Sequence, residues 1–152
     1  MEKLLEAFST LLPAADYTER RLFETADAED DGTVVECDPN APFAGQVVKL
    51  QVDKHVGKVS YLRVYSGSIK GGDSFINSGG GRKERVGHVM YPVGKDLTQT
   101  EAGTAGEIIA FTKIDSLKIG DTISSDGAKF FRKIPLPRPM AQLAVSPKSR
   151  ND

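Results

Sequence analysis

The stretch KVSYLRVYSG, residues 58–67, decides the fold class. Side chains alternate across a β-strand, so Val59, Tyr61, Arg63 and Tyr65 share one face and Ser60, Leu62 and Val64 the other. Gly67 and the turn cluster SGSIKGGD (66–73) end the run. The same grammar continues on both sides. QVVKLQVD (46–53) is β-rich, and DSFIN (73–77) follows the turn. A glycine run comes next, then ERVGHVMYPVG (84–94), where Pro92 and Gly94 interrupt pairing. EAGTAG (101–106) leads into the apolar EIIAFTK (107–113), and KIGDTI (118–123) adds a turn and a strand. Six or more short strands with no helix between them predict an all-β, antiparallel barrel or sandwich. Closure as a barrel removes exposed edges.

The flanks read differently. MEKLLEAFSTLLP places Leu4, Leu5, Phe8, Leu11 and Leu12 at helical spacing, and Pro13 stops the helix. So short a helix needs a packing partner, either the barrel or another domain. Residues 14–41 form an acidic connector with too little apolar material to fold alone, and TVVE (33–36) is its one candidate strand. The β-region runs over 42–133. Beyond it, IPLPRP (134–139) is a proline-stiffened linker, and MAQLAVSPK (140–148) has the look of a strand without partners.

Composition excludes several classes. The 152 residues suit one domain, and no apolar run is long enough for a membrane span. The single Cys37 excludes an internal disulfide framework, and a reducing, cytoplasmic setting fits. His55 and His88 lack metal-ligand spacing. A phosphate-binding loop requires Gly-Lys followed by Ser or Thr at a helix start. Here Gly57-Lys58 precedes Val59, Gly94-Lys95 precedes Asp96, and Gly81 precedes Arg82. TKID (112–115) matches a guanine-recognition pattern, but without a phosphate loop it reads as a strand end bearing a solvated lysine. No catalytic constellation stands out, so the chain is read as no enzyme, with no cofactor or metal of its own.

Charge is what remains. The net charge of −1 conceals nine acidic against two basic residues over 14–41, and nine basic against four acidic over 42–97. NSGGGRKERVG (77–87) sets Arg82, Lys83 and Arg85 beside three glycines, and the 57–67 stretch carries Lys58 and Arg63. Basic turns on rigid strands suit the backbone of folded RNA, read by shape and phosphate.

Together, APFAGQVVKLQVDKHVGKVSYLRVYSGSIKGGDSF, GRKERVG, EAGTAGEI and GDT resemble, in order and spacing, the second domain of elongation factor G. That resemblance spans about residues 38–124. It implies a closed β-barrel of the translation-factor type. LLEAFSTLLP resembles the last helix of the family's GTPase domain, and RPMAQLAVSPKSRND the first strand of its third domain. The resemblance therefore implies a piece of a longer GTPase that uses GTP and Mg, with the ribosome and the two neighbouring domains as partners and the piece itself monomeric. It also implies RNA contact by Gly81, Arg82, Lys83 and Arg85, with Lys58, Tyr61, Arg63 and Ser66 supporting or joining that surface. HVMYPVGKDLTQTEAG and TKIDSLKIGDT depart from the family's usual runs. Translocating, ribosome-recycling and tetracycline-resistance ribosomal protection members all stay open, as does a barrel acting only as an intramolecular spacer.

Overall fold

The computed structural model describes residues 2–17, 20–23, 32–54, 56–127, 130–132, 135, 137–141 and 143–144. One helix, α1 (Glu2–Leu11), precedes the strands β1 (Arg20–Phe23), β2 (Thr33–Val35), β3 (Ala44–Asp53), β4 (Gly57–Ser66), β5 (Ser68–Lys70), β6 (Ser74–Asn77) and β7 (Arg82–Arg85). Then come β8 (Val89–Val93), β9 (Asp96–Thr100), β10 (Ala102–Thr104), β11 (Ile108–Thr112), β12 (Thr122–Ser124) and β13 (Phe130–Phe131). The all-β, antiparallel architecture with a short N-terminal helix is the one expected from the alternating strands.

Eight strands pair in the order β7-β6-β12-β3-β4-β11-β8-β9. β10 and β5 pair with each other in a separate two-stranded sheet. Gly72 N–H donates to Val86 O and Val86 N–H to Asp73 O, tying the β5–β6 turn to the end of β7. On the other side, β10 runs on from β9 through Glu101.

One core fills the interior. Ser60, Leu62, Val64 and Ser66 of β4 point inward, and Leu62 and Val64 are fully buried. Phe75 stacks on Phe111 at 5.8 Å between centroids, and Val47, Ile109, Leu117 and Ile123 close around them. Fully burying one such side chain contributes about 1.5–3 kcal/mol. A bulge in β3 between Val47 and Lys49 turns the strand so that Lys49, Gln51 and Val52 face solvent.

The connector holds more structure than its composition predicts. TVVE does supply β2, but Arg20–Phe23 forms a second strand, and the sheet order is β13-β1-β2. Phe131 joins this sheet to the barrel. Its ring meets Tyr65 edge-on at 4.8 Å, and its N–H donates to Thr122 Oγ1 at 2.7 Å. Pairing Leu22 with Phe131 spans most of the chain, which no local pattern reveals.

α1 ends where Pro13 demands, with Leu12 N–H on Phe8 O. None of its residues is buried, so its stripe does not pack on the barrel. The strand expected over 140–148 lies partly outside the described residues. Met140 and Leu143, which are described, stand almost wholly exposed and in no strand, as a segment without a pairing partner must.

Gly67 fixes where the connector enters. It has φ +71°, and a Cβ there would sit 2.5 Å from Ala41 O and 2.6 Å from Phe43 N. Its N–H reaches Asp38 O at 2.8 Å, while Ser66 Oγ donates to Pro42 O at 2.9 Å. Gly67→Ala is expected to destabilise the fold by roughly 2 to 4 kcal/mol, through left-handed strain and backbone overlap together. A urea midpoint equal to that of the parent chain would contradict this account of the 41–43 contact.

Candidate nucleic-acid interface

The glycine run is a fixed turn. Asn77, 3% exposed at the end of β6, collects its amides. Gly79 N–H donates to Asn77 Oδ1 at 2.9 Å, and Gly80 and Gly81 N–H donate to Asn77 O at 3.1 and 2.7 Å. Gly81, at φ +63°, lets the chain turn back into β7. A phosphate cradle needs such amides pointing outward and free. All three are consumed inside the turn, so the glycines shape the hairpin and leave an anion to the side chains.

Register then divides the basic cluster. β7 pairs with β6 as Asn77↔Arg82, Ile76↔Lys83, Phe75↔Glu84 and Ser74↔Arg85, and β7 ends the eight-strand order. Successive side chains take opposite faces. Arg82 and Glu84 line one cleft with Asn77, Gly79 and Gly80. Lys83 and Arg85 take the other face, where Arg85 Nε donates to Gly72 O at 2.8 Å across the neighbouring turn. The cations at 82, 83 and 85 are all exposed but do not form a single patch.

The β4 residues divide as well. Lys58 Nζ donates to Asp115 O at 2.6 Å and Leu117 O at 2.8 Å, holding the 113–120 loop. Ser66 is 4% exposed and bonded to Pro42 O, so it braces the connector from inside. Tyr61 and Arg63 are half-buried on the outer face of β4, which lies four strands from β7 in the pairing order. Tyr61 Oη donates to Gln51 Oε1 at 3.4 Å, and Lys49 Nζ lies 5.2 Å from the ring centroid. The structure therefore puts Gly81, Arg82, Lys83 and Arg85 on one hairpin, its cations divided between two faces, and keeps Tyr61 and Arg63 apart from it.

Residues 42–126 match the family model for elongation factor G domain 2. The chain belongs to that family. An elongation factor G from Neorickettsia sennetsu is 33% identical over 98% of the chain, and one from Ruegeria pomeroyi is 32% identical over 100% of the chain. The chain spans 21% and 22% of those two proteins, about a fifth of each. A crystal structure from Thermus thermophilus aligns with 99% of the chain and 20% of its own, at 30% identity and a TM-score of 0.64.

Within this domain 2, the residues that sequence reading missed lie on the 113–121 loop. TKID does end a strand, and Lys113, at φ 61°, turns the chain out of it. Asp121 Oδ2 then accepts Asn77 Nδ2 and Lys118 N–H, each at 2.9 Å. Ser116 Oγ donates to Glu84 Oε1. The loop is thus bolted to the β6–β7 hairpin, and Ser116, Lys118 and Asp121 complete the lining of a cleft of about 300 Å³. Asn77 and Asp121 are 44 positions apart, so only the paired lysines of KIDSLK hinted at a surface there.

Among the described residues, no group of three or more His, Cys, Asp or Glu is placed to hold a metal ion, and no helix is long and apolar enough to cross a membrane. His88 Nδ1 lies 3.2 Å from Gln99 Nε2, and His55 falls outside the described residues.

Lys58→Met leaves the Asp115 and Leu117 carbonyls without their ammonium donor. Amide exchange over 113–118 is expected to accelerate about tenfold while the Leu62 amide keeps its protection. Unchanged exchange in the loop would show that Lys58 does not hold it.

Proposed function

We propose that this domain is the second, β-barrel domain of a translational GTPase that acts in elongation and contacts small-subunit ribosomal RNA through the β6–β7 hairpin. The observation that carries the reading is a rigid edge hairpin presenting exposed Arg82 and Lys83, whose side chains take no hydrogen bond among the described residues. A pre-fixed turn lowers the ordering cost of binding. Cations on both faces of one strand suit a groove-like backbone rather than a flat anionic patch. Arg85 contributes charge from beside Gly72, and Lys58 and Ser66 act from inside the fold.

In this reading, GTP and Mg belong to the parent protein's GTPase domain, and the parent works in the cytoplasm. Translocation is the activity favoured by kinship with proteins named elongation factor G. The exposed stripe of α1, with Leu4, Leu5, Phe8, Leu11 and Leu12 at 50–79% exposure, is the surface offered to a neighbouring domain of the same chain. That stripe also favours a second reading, in which the barrel only relays nucleotide state between domains.

Replacing Arg82, Lys83 and Arg85 by alanine in the full-length parent separates the two readings. Ribosome affinity is expected to fall at least about tenfold near physiological salt, and the log-log salt slope to lose about two to three units. Unchanged affinity across the salt series would favour the spacer. By calorimetry, the 152-residue chain is expected to take up no GTP. Stoichiometric uptake would sink the assignment of nucleotide chemistry to another domain.

A further inference from the structure

The cleft between the β6–β7 hairpin and the 113–121 loop is balanced in charge. Arg82 and Lys118 line it with Glu84 and Asp121. A free anion would meet two carboxylates there, and a metal ion two cations. A ligand that alternates anionic oxygens with hydrogen-bond donors satisfies both sets.

The carboxylates are held in defined poses. Ser116 occupies Glu84 Oε1, and Asn77 with the Lys118 amide occupies Asp121 Oδ2. Glu84 Oε2 and Asp121 Oδ1, on two residues that line the cleft, take no hydrogen bond among the described residues. The walls are equally fixed, since Lys58 anchors the loop and Asn77 the turn.

We propose that this cleft takes one ribose–phosphate step of an A-form RNA strand. Arg82 and Lys118 meet its phosphates, and Glu84 Oε2 accepts the ribose 2′-hydroxyl. The proposal rests on the reading of the hairpin as an RNA contact and adds to it Lys118 and a means of telling RNA from DNA. The 2′-hydroxyl is the donor that DNA lacks, and A-form helices display it in their wide minor groove. A carboxylate acceptor makes such a bond charge-assisted. The acidic residue within GRKER thereby gains a role beside its basic neighbours.

Titration of the ¹⁵N-labelled chain at low salt with a short RNA duplex tests the idea. The comparison duplexes have the same sequence, one with 2′-fluoro riboses, which stay A-form but cannot donate, and one of DNA. Amides of Gly79, Gly80 and Lys118 are expected to shift with RNA, and the dissociation constant to rise about five- to tenfold with the 2′-fluoro duplex. Glu84→Ala is expected to erase that gap. Lys118→Ala is expected to weaken RNA and 2′-fluoro RNA alike and to lower the salt slope by about one. Equal affinity of the unaltered chain for RNA and 2′-fluoro RNA overturns the ribose contact while leaving a basic RNA surface intact. No amide shift around the cleft with any duplex overturns both. The comparison of duplexes on the unaltered chain stands even if a variant folds poorly.

Discussion

A strand can give only every second side chain to a core, and β4 sits where that rule matters most. It pairs with β3 along one side and β11 along the other, so neither its register nor its facing can slip without cost. Leu62 and Val64 are fixed inside, and Tyr61, Arg63 and Tyr65 outside. The outer face then receives its own partner. Phe131 of β13 packs on Tyr65 and brings β1 and β2 with it, while Tyr61, further along, remains under Lys49. The inner end of β4 closes on the connector through Ser66 and Gly67. Core, added sheet and chain entry all follow from which way ten residues face.

The same rule governs the interface. Read as composition, GRKER is one basic cluster, but as an edge strand it is two half-clusters with an acid in one of them. Glu84 shares its face with Arg82, and Lys83 shares the other with Arg85. Charges along β7 also discourage pairing with another chain, a standing hazard of edge strands. Edge protection and the proposed RNA contact therefore draw on the same residues without conflict, because both require them charged and solvent-facing.

How much of this was legible in sequence depends on the range of the interaction. Alternation and turn glycines are local, so the strands over QVVKLQVD, KVSYLRVYS, DSFIN and EIIAFT, the Pro13 stop and the antiparallel class could be read directly. By contrast, β5 and β10 lie in stretches that read as turns, β9 goes unread, and Pro92, expected to interrupt pairing, pairs with Leu97 inside β8. Long-range pairings could not be read in this way. Arg20–Phe23 has no alternating apolar pattern of its own and becomes a strand only by joining β2 and β13. Lys58 reads as one more surface cation until the loop that covers it is in place. Lys118 and Asp121 belong to the site only because the sheet sets β12 beside β6, and with it the turn that precedes β12. Resemblance located the hairpin, yet it grouped Tyr61 and Arg63 with it, which the strand order separates.

The cleft shows how one barrel can serve different surfaces. Its hairpin wall is set by Asn77, whose side chain and carbonyl together hold three consecutive glycine amides. Its other wall is the 113–121 loop. Loops on a rigid scaffold can change chemistry without disturbing the core beneath them. Here Ile114 and Leu117 point into the core, while Ser116 and Lys118, on either side of buried Leu117, line the cleft. A loop so divided is free to vary at every outward position while its anchors stay. If the proposed RNA contact holds, its particular chemistry is set by those outward residues rather than by the hairpin whose geometry Asn77 already dictates.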